Sequence, residues 1–364
     1  MKSSVTNRQV IFMVFIVCVA LTTVTISQDL ALSAGRGAWL TLLITALLFG
    51  VVAVIIAKLG RMYEGKILVE YSRDIAGGFT SYVLGIFYIL YFLLFEVAMC
   101  NNSSMIAQAC FMNKTPQWAL TLILIPVFAF IAYKGLVTAA RLAEIFCVWF
   151  LIVAGIIYVT MLIEGDWRYL QPLFNASKIG NYISAIPSAF PSFLGVEILT
   201  VLPMGNKNIK APRAAFLVIA GVFAFYILDV YGSYAMIGMN EIIFHSYPLI
   251  DAIRLVEYPA IEFLQRVDVS YMTFGFIRIF IAEGIVYMAL VEVLCKMLPK
   301  TKRMVIVLVT GAVITVFCVI SMGIQEASEA IKNILSLAGI AATFIIPLAL
   351  FVIAKVKKHG KKSA

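Results

Sequence analysis

Five ionisable side chains sit inside long apolar runs of this 364-residue chain: Glu96, Glu197, Asp229, Arg278 and Glu283. A charge at membrane depth is expensive, so such residues face the interior of a bundle and pair or mark a ligand or ion pathway. Glu96 falls near the middle of the third run and Glu283 near the middle of the eighth, where either could meet a ligand or take up a proton. Glu197 ends the stretch Ile186-Pro-Ser-Ala-Phe-Pro-Ser-Phe-Leu-Gly-Val-Glu197. Its two prolines and glycine remove backbone donors and loosen a helix. Irregular backbone at that depth is buried in protein or lines a wet cavity. Its free N–H groups suit a carboxylate, and its free C=O groups an ammonium or a cation. A weaker counterpart is Ala20-Leu-Thr-Thr-Val-Thr25, whose hydroxyls can bond freed carbonyls or a ligand. Arg278 lies about one and a half turns from Glu283 and reads as half of a structural ion pair, with Asp229 of the seventh run assigned to it.

The elements that must position these groups follow from composition. Of the residues, 63% are hydrophobic and 13% charged, against roughly half and a quarter in soluble domains. Polar residues are too few to cover that much apolar surface in water. The apolar stretches reach twenty residues without the alternation of a transmembrane β-barrel, so they are helices. Ten runs qualify: 9–30, 38–57, 82–107, 117–133, 142–163, 182–204, 214–239, 269–297, 304–322 and 334–354. Each is long enough for a hydrocarbon core of about 30 Å. The first lacks a small-residue cleavage site and reads as a retained helix rather than a signal peptide. The expectation is an all-α polytopic membrane protein with a single integral membrane domain, divided into five-helix halves at 1–180 and 181–364. The two interrupted segments open these halves, and Glu96 and Glu283 hold corresponding places. Paired interruptions of this kind point to an inverted-repeat transporter fold with a midplane site.

Of the 28 basic residues, twenty fall in the loops and ends on one side, and seven on the other; Arg278 is the remaining one. This asymmetry places both termini in the cytoplasm. The net charge of +9 then reflects topology and attraction to anionic lipid, not nucleic-acid binding. The six cysteines show no CxxC spacing, and two distant histidines make no metal centre. No phosphate-binding loop, dinucleotide fingerprint or catalytic triad is present, so the chain reads as neither an enzyme nor a cofactor protein. Glu144 and Glu292, beside Arg141 and Lys296, read as interfacial pairs. In the longest loop, 241–268, the segment Pro248 to Tyr258 reads equally as an outer lid or as a helix lying on the membrane. Asn101 and Asn102 could hold helices together.

Further stretches carry a resemblance. Gly135-Leu-Val-Thr-Ala-Ala-Arg-Leu-Ala-Glu144, Asp166-Trp-Arg-Tyr-Leu-Gln-Pro-Leu-Phe174, Phe190-Pro-Ser-Phe-Leu-Gly-Val-Glu197 and Leu202-Pro203 resemble the B-subunit family of bacterial spore germination receptors. The order, spacing and length agree across essentially the whole chain. That family is similar to the amino acid–polyamine–organocation transporters, which implies a LeuT-like five-plus-five inverted repeat with broken first and sixth helices. The resemblance further implies a receptor in the spore inner membrane that binds a small-molecule germinant, often an amino acid. It would act with an A subunit and a C lipoprotein subunit. Mapped on this chain, the ligand site comprises Ala20, Leu21, Thr22, Thr23 and Thr25; Ser192, Phe193, Gly195 and Glu197; Glu96; and Ala282 and Glu283. Relatives often carry a glycine-rich break with a following proline in the first span. Here Ala20-Leu-Thr-Thr-Val-Thr-Ile-Ser27 has neither, which predicts a less open backbone and allows a ligand other than a plain amino acid. The alternatives are a proton- or sodium-coupled amino acid permease and a structural scaffold.

Overall fold

The computed structural model describes residues 5–205, 210–256, 267–322 and 325–360. Among them the chain is helical and holds no β-strand. It opens with two short helices, α1 (Asn7–Ala20) and α2 (Ile26–Ser33), separated by a turn. Next come α3 (Ala38–Met62), the short α4 (Leu68–Ala76), α5 (Gly78–Cys110), α6 (Gln117–Lys134) and α7 (Leu136–Glu164). The sixth apolar run is fragmented into α8 (Ile179–Ser184), α9 (Ile186–Ala189) and two 3₁₀ turns, Phe190–Phe193 and Val196–Thr200. The chain then forms α10 (Ala211–Ile237), α11 (Pro248–Arg254), α12 (Val267–Met297) and α13 (Arg303–Met322). It closes with α14 (Gln325–Ile340) and α15 (Ile346–Gly360), joined through a π-helical turn at Ala341–Ile345.

Eight helices among the described residues are long and apolar enough to cross a membrane. They carry the second to fifth and the seventh to tenth runs. The first and sixth runs are the two divided ones, so a count of ten treats each divided segment as one span. The outer surface bears large exposed apolar side chains, among them Leu308, Val309, Val316 and Ile320 on α13. Polar and charged groups such as Thr41, Asn101, Ser104, Asp229 and Glu283 are instead buried. This inversion is stable only with lipid as the outer solvent. The chain is an integral membrane protein. α12 is the most enclosed span, packed among α1, α5, α6 and α7, and it carries both Arg278 and Glu283.

The α1 start is written in the local sequence. The Thr6 hydroxyl accepts from the Gln9 N–H, and Gln9 Oε1 accepts from the Thr6 N–H at 3.1 Å, a reciprocal cap. Its end is not. The expectation of a less open backbone after Ala20 is overturned: the helix stops there with no glycine or proline, and residues 21–25 form turns. Side chains from distant helices take the freed carbonyls. Tyr226 Oη donates to Cys18 O at 3.0 Å, Arg278 Nη1 to Val19 O at 2.9 Å, and Asn102 Nδ2 to Leu21 O at 3.0 Å. Thr23 Oγ1 also donates to Val19 O. Competition from the Thr23 hydroxyl in the turn and donors from three other helices outweigh the local i→i−4 ladder.

In the sixth segment the prolines act as starters rather than kinks. Pro187 stands in the first turn of α9, and Pro191 in the first turn of the 3₁₀ segment, where the missing N–H is harmless. The interruption itself falls at Leu194, which is extended, and Gly195, with φ +118°. α11 packs into the bundle rather than lying on its surface. Leu249 and Ala252 are fully buried, and Ile250 joins Val24, Ile106 and Met272 beside the first break. Asp251 bonds His245 Nδ1 at 2.8 Å, and its longer contact with Arg254 spans 3.9 Å. Tyr258, the end of the segment read as a lid, lies outside the described residues.

Candidate functional site

The two breaks face each other. Thr22 Oγ1 hydrogen-bonds Ser192 Oγ at 2.8 Å and Tyr226 Oη at 3.0 Å in one hydroxyl cluster. Cys18 Sγ reaches Phe193 O at 3.6 Å. Thr22, Thr23, Ser192, Phe193 and Ala20 are buried, while Leu21 and Thr25 are half-buried, Thr25 Oγ1 bonding Thr22 O at 3.4 Å. Phe193 and Phe190 pack with Phe344 around Phe49, ring centroids 4.9–5.5 Å from it. The structure thus brings Ala20 to Thr25 together with Ser192, Phe193 and Gly195 in one polar seam between apolar walls.

Glu197 lies just beyond the seam, fully buried, and its oxygens are occupied by the protein. Tyr91 Oη donates to Oε1 at 2.6 Å, the Gly195 N–H reaches both oxygens at 2.9 Å, and Thr343 Oγ1 donates to Oε2 at 3.3 Å. Its own carbonyl accepts from Thr200 Oγ1 at 2.6 Å. A buried carboxylate with this many donors pins the broken segment to α5 and to the π-helical turn before α15.

Arg278 and Asp229 lie near enough to act on each other electrostatically, but they make no direct ion pair. No acid among the described residues comes within 4.0 Å of Arg278. Its guanidinium instead donates to Val19 O at 2.9 Å and Thr23 Oγ1 at 3.1 Å, and lies 4.5 Å from the Phe150 ring centroid. The C-terminal end of α1 carries the negative pole of the helix, and the aromatic face adds further negative potential. Together these add to the field of the more distant Asp229 carboxyl. Asp229 receives Ser27 Oγ at 3.5 Å on Oδ1, while Oδ2 is buried without a partner. Replacing Arg278 with lysine keeps the charge but loses the planar stack on Phe150. The expected loss is about 1–2 kcal/mol of stability, read as a lowered unfolding midpoint of the protein in lipid. Methionine, which leaves Val19 O without this donor, is expected to lower it further.

Ala282 lies about one turn along α12 from Arg278, and Glu283 is turned about 100° further round. Both are fully buried, as is Glu96 on α5. Glu96 and Glu283 stand close enough to repel each other, with Ser103 beside Glu283. They form a second locus, apart from Glu197 and its donors. Asn101 Nδ2 donates to Ser321 Oγ of α13 at 2.7 Å, which ties α5 to α13. Spacing had no means of singling out Tyr91, Tyr226, Phe150 or Thr343. Their aromatic rings and hydroxyls are ordinary core residues until the tertiary fold brings them to a break.

A cavity of about 580 Å³ lies away from the breaks, at the end of the bundle that bears the basic loops. Lys296 bonds Glu70 there at 2.7 Å. Glu292 pairs with Arg303 at 2.7 Å rather than with Lys296, and Arg303 also donates to Ala132 O. Glu144 pairs with Arg8 at 2.8 Å rather than with Arg141. At the opposite end Arg168 forks onto Asp166, with contacts of 2.6–2.9 Å, and holds that carboxyl below its ordinary range. The Asp166 N–H donates to Ala235 O at 2.9 Å. Trp167, Leu170, Leu173 and Phe174 line an apolar groove of about 390 Å³ with Trp39.

Two helices interrupted face to face within a bundle of long spans define a transporter architecture. Solved structures share it. The chain superposes on MhsT in complex with L-phenylalanine with a TM-score of 0.67 at 14% identity, over 96% of this chain and 99% of that one. It superposes on a manganese transporter of Eremococcus coleocola with a TM-score of 0.60 at 14% identity, over 93% and 77%. The fold is therefore LeuT-like. Within it, the chain belongs to the spore permease family, described as spore germination protein, whose model matches residues 4–358. Relatives include spore germination protein YndE of Bacillus subtilis (strain 168), 24% identical over 62% of each chain. Spore germination protein GerLB of Bacillus cereus is 20% identical over 88% of this chain and 86% of its own. The match thus spans less than two thirds of YndE.

Proposed function

We propose that this protein is the membrane subunit of a spore nutrient-germinant receptor, seated in the spore inner membrane with both termini cytoplasmic. The observation that carries the reading is the seam between the two breaks, bridged by Thr22 and Ser192, in a chain of the spore germination family. A small nutrient, an amino acid foremost, binds there by displacing the Thr22–Ser192 bond and using the backbone groups of both broken segments. MhsT, of the same fold, was solved with L-phenylalanine, which supports that ligand class. The unpartnered Asp229 oxygen and the Arg278 charge on α1 are suited to opposite ends of a zwitterion. The ligand favours one arrangement of the bundle only by its difference in affinity between arrangements. That shift is passed to an A subunit and a C lipoprotein subunit.

The test uses spores of the bacterium that carries the gene, with and without it, challenged with amino acids, sugars and nucleosides. Uptake of the same labelled nutrients by growing cells is measured in parallel. Loss of germination to one nutrient class with intact uptake is the expected result, and the lost class names the ligand. Normal germination with reduced uptake overturns the receptor reading in favour of a coupled permease.

A further inference from the structure

A second apolar groove, of about 490 Å³, lies between α6 and α13, with no residue of either break in its walls. Small residues make the room: Ala129 on α6 and Gly311 and Ala312 on α13 put almost no side chain into it. Its floor is closed from α12, because a Cβ on Gly311 would meet Tyr287 Oη at 2.9 Å. Its rims are Phe130 and Leu308, 59% and 62% exposed. Apolar rims exposed on a membrane-spanning bundle face lipid. The walls run from Ile125 to Tyr133 on α6 and from Met304 to Ala312 on α13. That rise is about 12 Å, close to the depth of one leaflet's hydrocarbon, about 15 Å.

The groove changes character at the end that bears the basic loops. Arg303 Nη2 donates to Ala132 O at 2.7 Å. This ties the start of α13 to the last turn of α6, and the groove ends there at Tyr133 and Met304. Lys134 follows Tyr133, and its Nζ lies 5.3 Å from the centroid of the Phe130 ring on the rim. That ammonium is therefore held over the groove itself. Lys302 caps α13, its carbonyl accepting from the Val305 and Ile306 N–H groups at 2.9 and 3.2 Å, and Lys300 stands two residues before it. All three lysines are exposed, and none is in an ion pair among the described residues. The positive pole of α13 faces the same mouth. The walls bring no offsetting charge, since neither α6 nor α13 contains Asp or Glu. The acids of this end, Glu64, Glu70 and Glu292, line the 580 Å³ cavity, which Lys134 also borders. There Glu292 holds Arg303 and Glu70 holds Lys296.

We propose that the groove between α6 and α13 is a binding site for an anionic phospholipid, with one acyl chain along the groove and the phosphate on Lys134 and Lys302. Such a lipid answers both halves of the site: its tail fills the apolar channel and its headgroup neutralises the lysines at the mouth. A zwitterionic headgroup would bring an ammonium of its own to this cluster, so charge sets the choice. The site is separate from the nutrient seam and does not depend on the nutrient reading.

The test is photo-crosslinking of the full-length protein in phosphatidylcholine vesicles. These carry a trace of phosphatidylglycerol, or of phosphatidylcholine, with a photoreactive group on one acyl chain, and labelled peptides are read by mass spectrometry. The phosphatidylglycerol probe is expected to label 125–133 and 304–312 about tenfold more than the phosphatidylcholine probe at equal mole fraction. Lys134→Gln combined with Lys302→Gln is expected to bring that ratio close to one. Ala312→Leu, which fills the groove, is expected to lower labelling there by both probes and to leave labelling around Trp149 on α7 unchanged. The three substituted residues are exposed. Should a variant nevertheless fold poorly, wild type decides alone: ionic strength of about 1 M must collapse the ratio. Equal labelling by the two probes overturns the proposal, because the groove then takes bulk lipid without regard to charge. A preference that survives the lysine substitutions overturns it as well. So does absence of label from both groove peptides; if Ala312→Leu then also turns an oligomer into monomers, a second copy of the chain is the occupant.

Discussion

Glu197→Ala is expected to cost about 3–5 kcal/mol of stability and to leave little folded protein in the membrane. The carboxylate collects the Tyr91 hydroxyl at 2.6 Å, the Gly195 N–H at 2.9 Å and the Thr343 hydroxyl at 3.3 Å. Alanine leaves at least Tyr91 and the Gly195 N–H without acceptors in a dry interior, each costing about 1–3 kcal/mol. It also opens a cavity where α5, the sixth segment and the π-helical turn meet. Glutamine keeps one acceptor oxygen but aims an NH₂ at donors, so about half the loss is expected. The measurement is the unfolding midpoint in lipid beside the amount of protein in the membrane. The pair of variants separates two roles. If Glu197 serves the ligand rather than the break, the glutamine form keeps the wild-type midpoint and loses only the nutrient response.

The same residue marks what a sequence can and cannot disclose. Pro187, Pro191 and Gly195 advertise the sixth break because each alters the backbone wherever it stands. The boundaries of the long spans were legible for a similar reason: twenty apolar residues in a row have one stable setting. The first break is different. Ala20 to Thr25 contains nothing that stops a helix outright. The stop is enforced by Asn102, Tyr226 and Arg278, the last 259 positions from Val19. Arg278 was expected to seek an acid because composition shows charges but not helix ends. The carbonyls of a terminated helix are a partner that exists only after folding. Glu96 and Glu283 were legible as charges inside the third and eighth runs. That no cation among the described residues pairs with them was not, since it depends on where every neighbouring cation has gone.

Gly195→Ala is expected to be of similar severity, for a reason that involves no polar group. The residue has φ +118° and ψ −17°, beyond the left-handed well that non-glycine residues tolerate. An L side chain there costs about 1–2 kcal/mol before it touches anything. The new Cβ would then lie 2.8 Å from Val17 Cγ1, 2.9 Å from Cys18 N and 3.1 Å from Val17 C. Two of these three atoms are backbone, so no rotamer change relieves the clash. Overpacking of this kind costs about 1–3 kcal/mol more, for a total of about 2–5 kcal/mol against a typical stability of about 5–15. The damage is local to function as well as to stability. Pushing α1 away from Gly195 separates Thr22 from Ser192 and takes Cys18 O from Tyr226. A companion variant tests the cause: Val17→Ala removes the Cγ1 contact but neither the backbone contacts nor the strained φ. Adding it to Gly195→Ala is expected to recover little of the unfolding midpoint. Full recovery would mean that a side-chain collision alone was responsible, and that the two broken segments approach less closely than 2.9 Å implies.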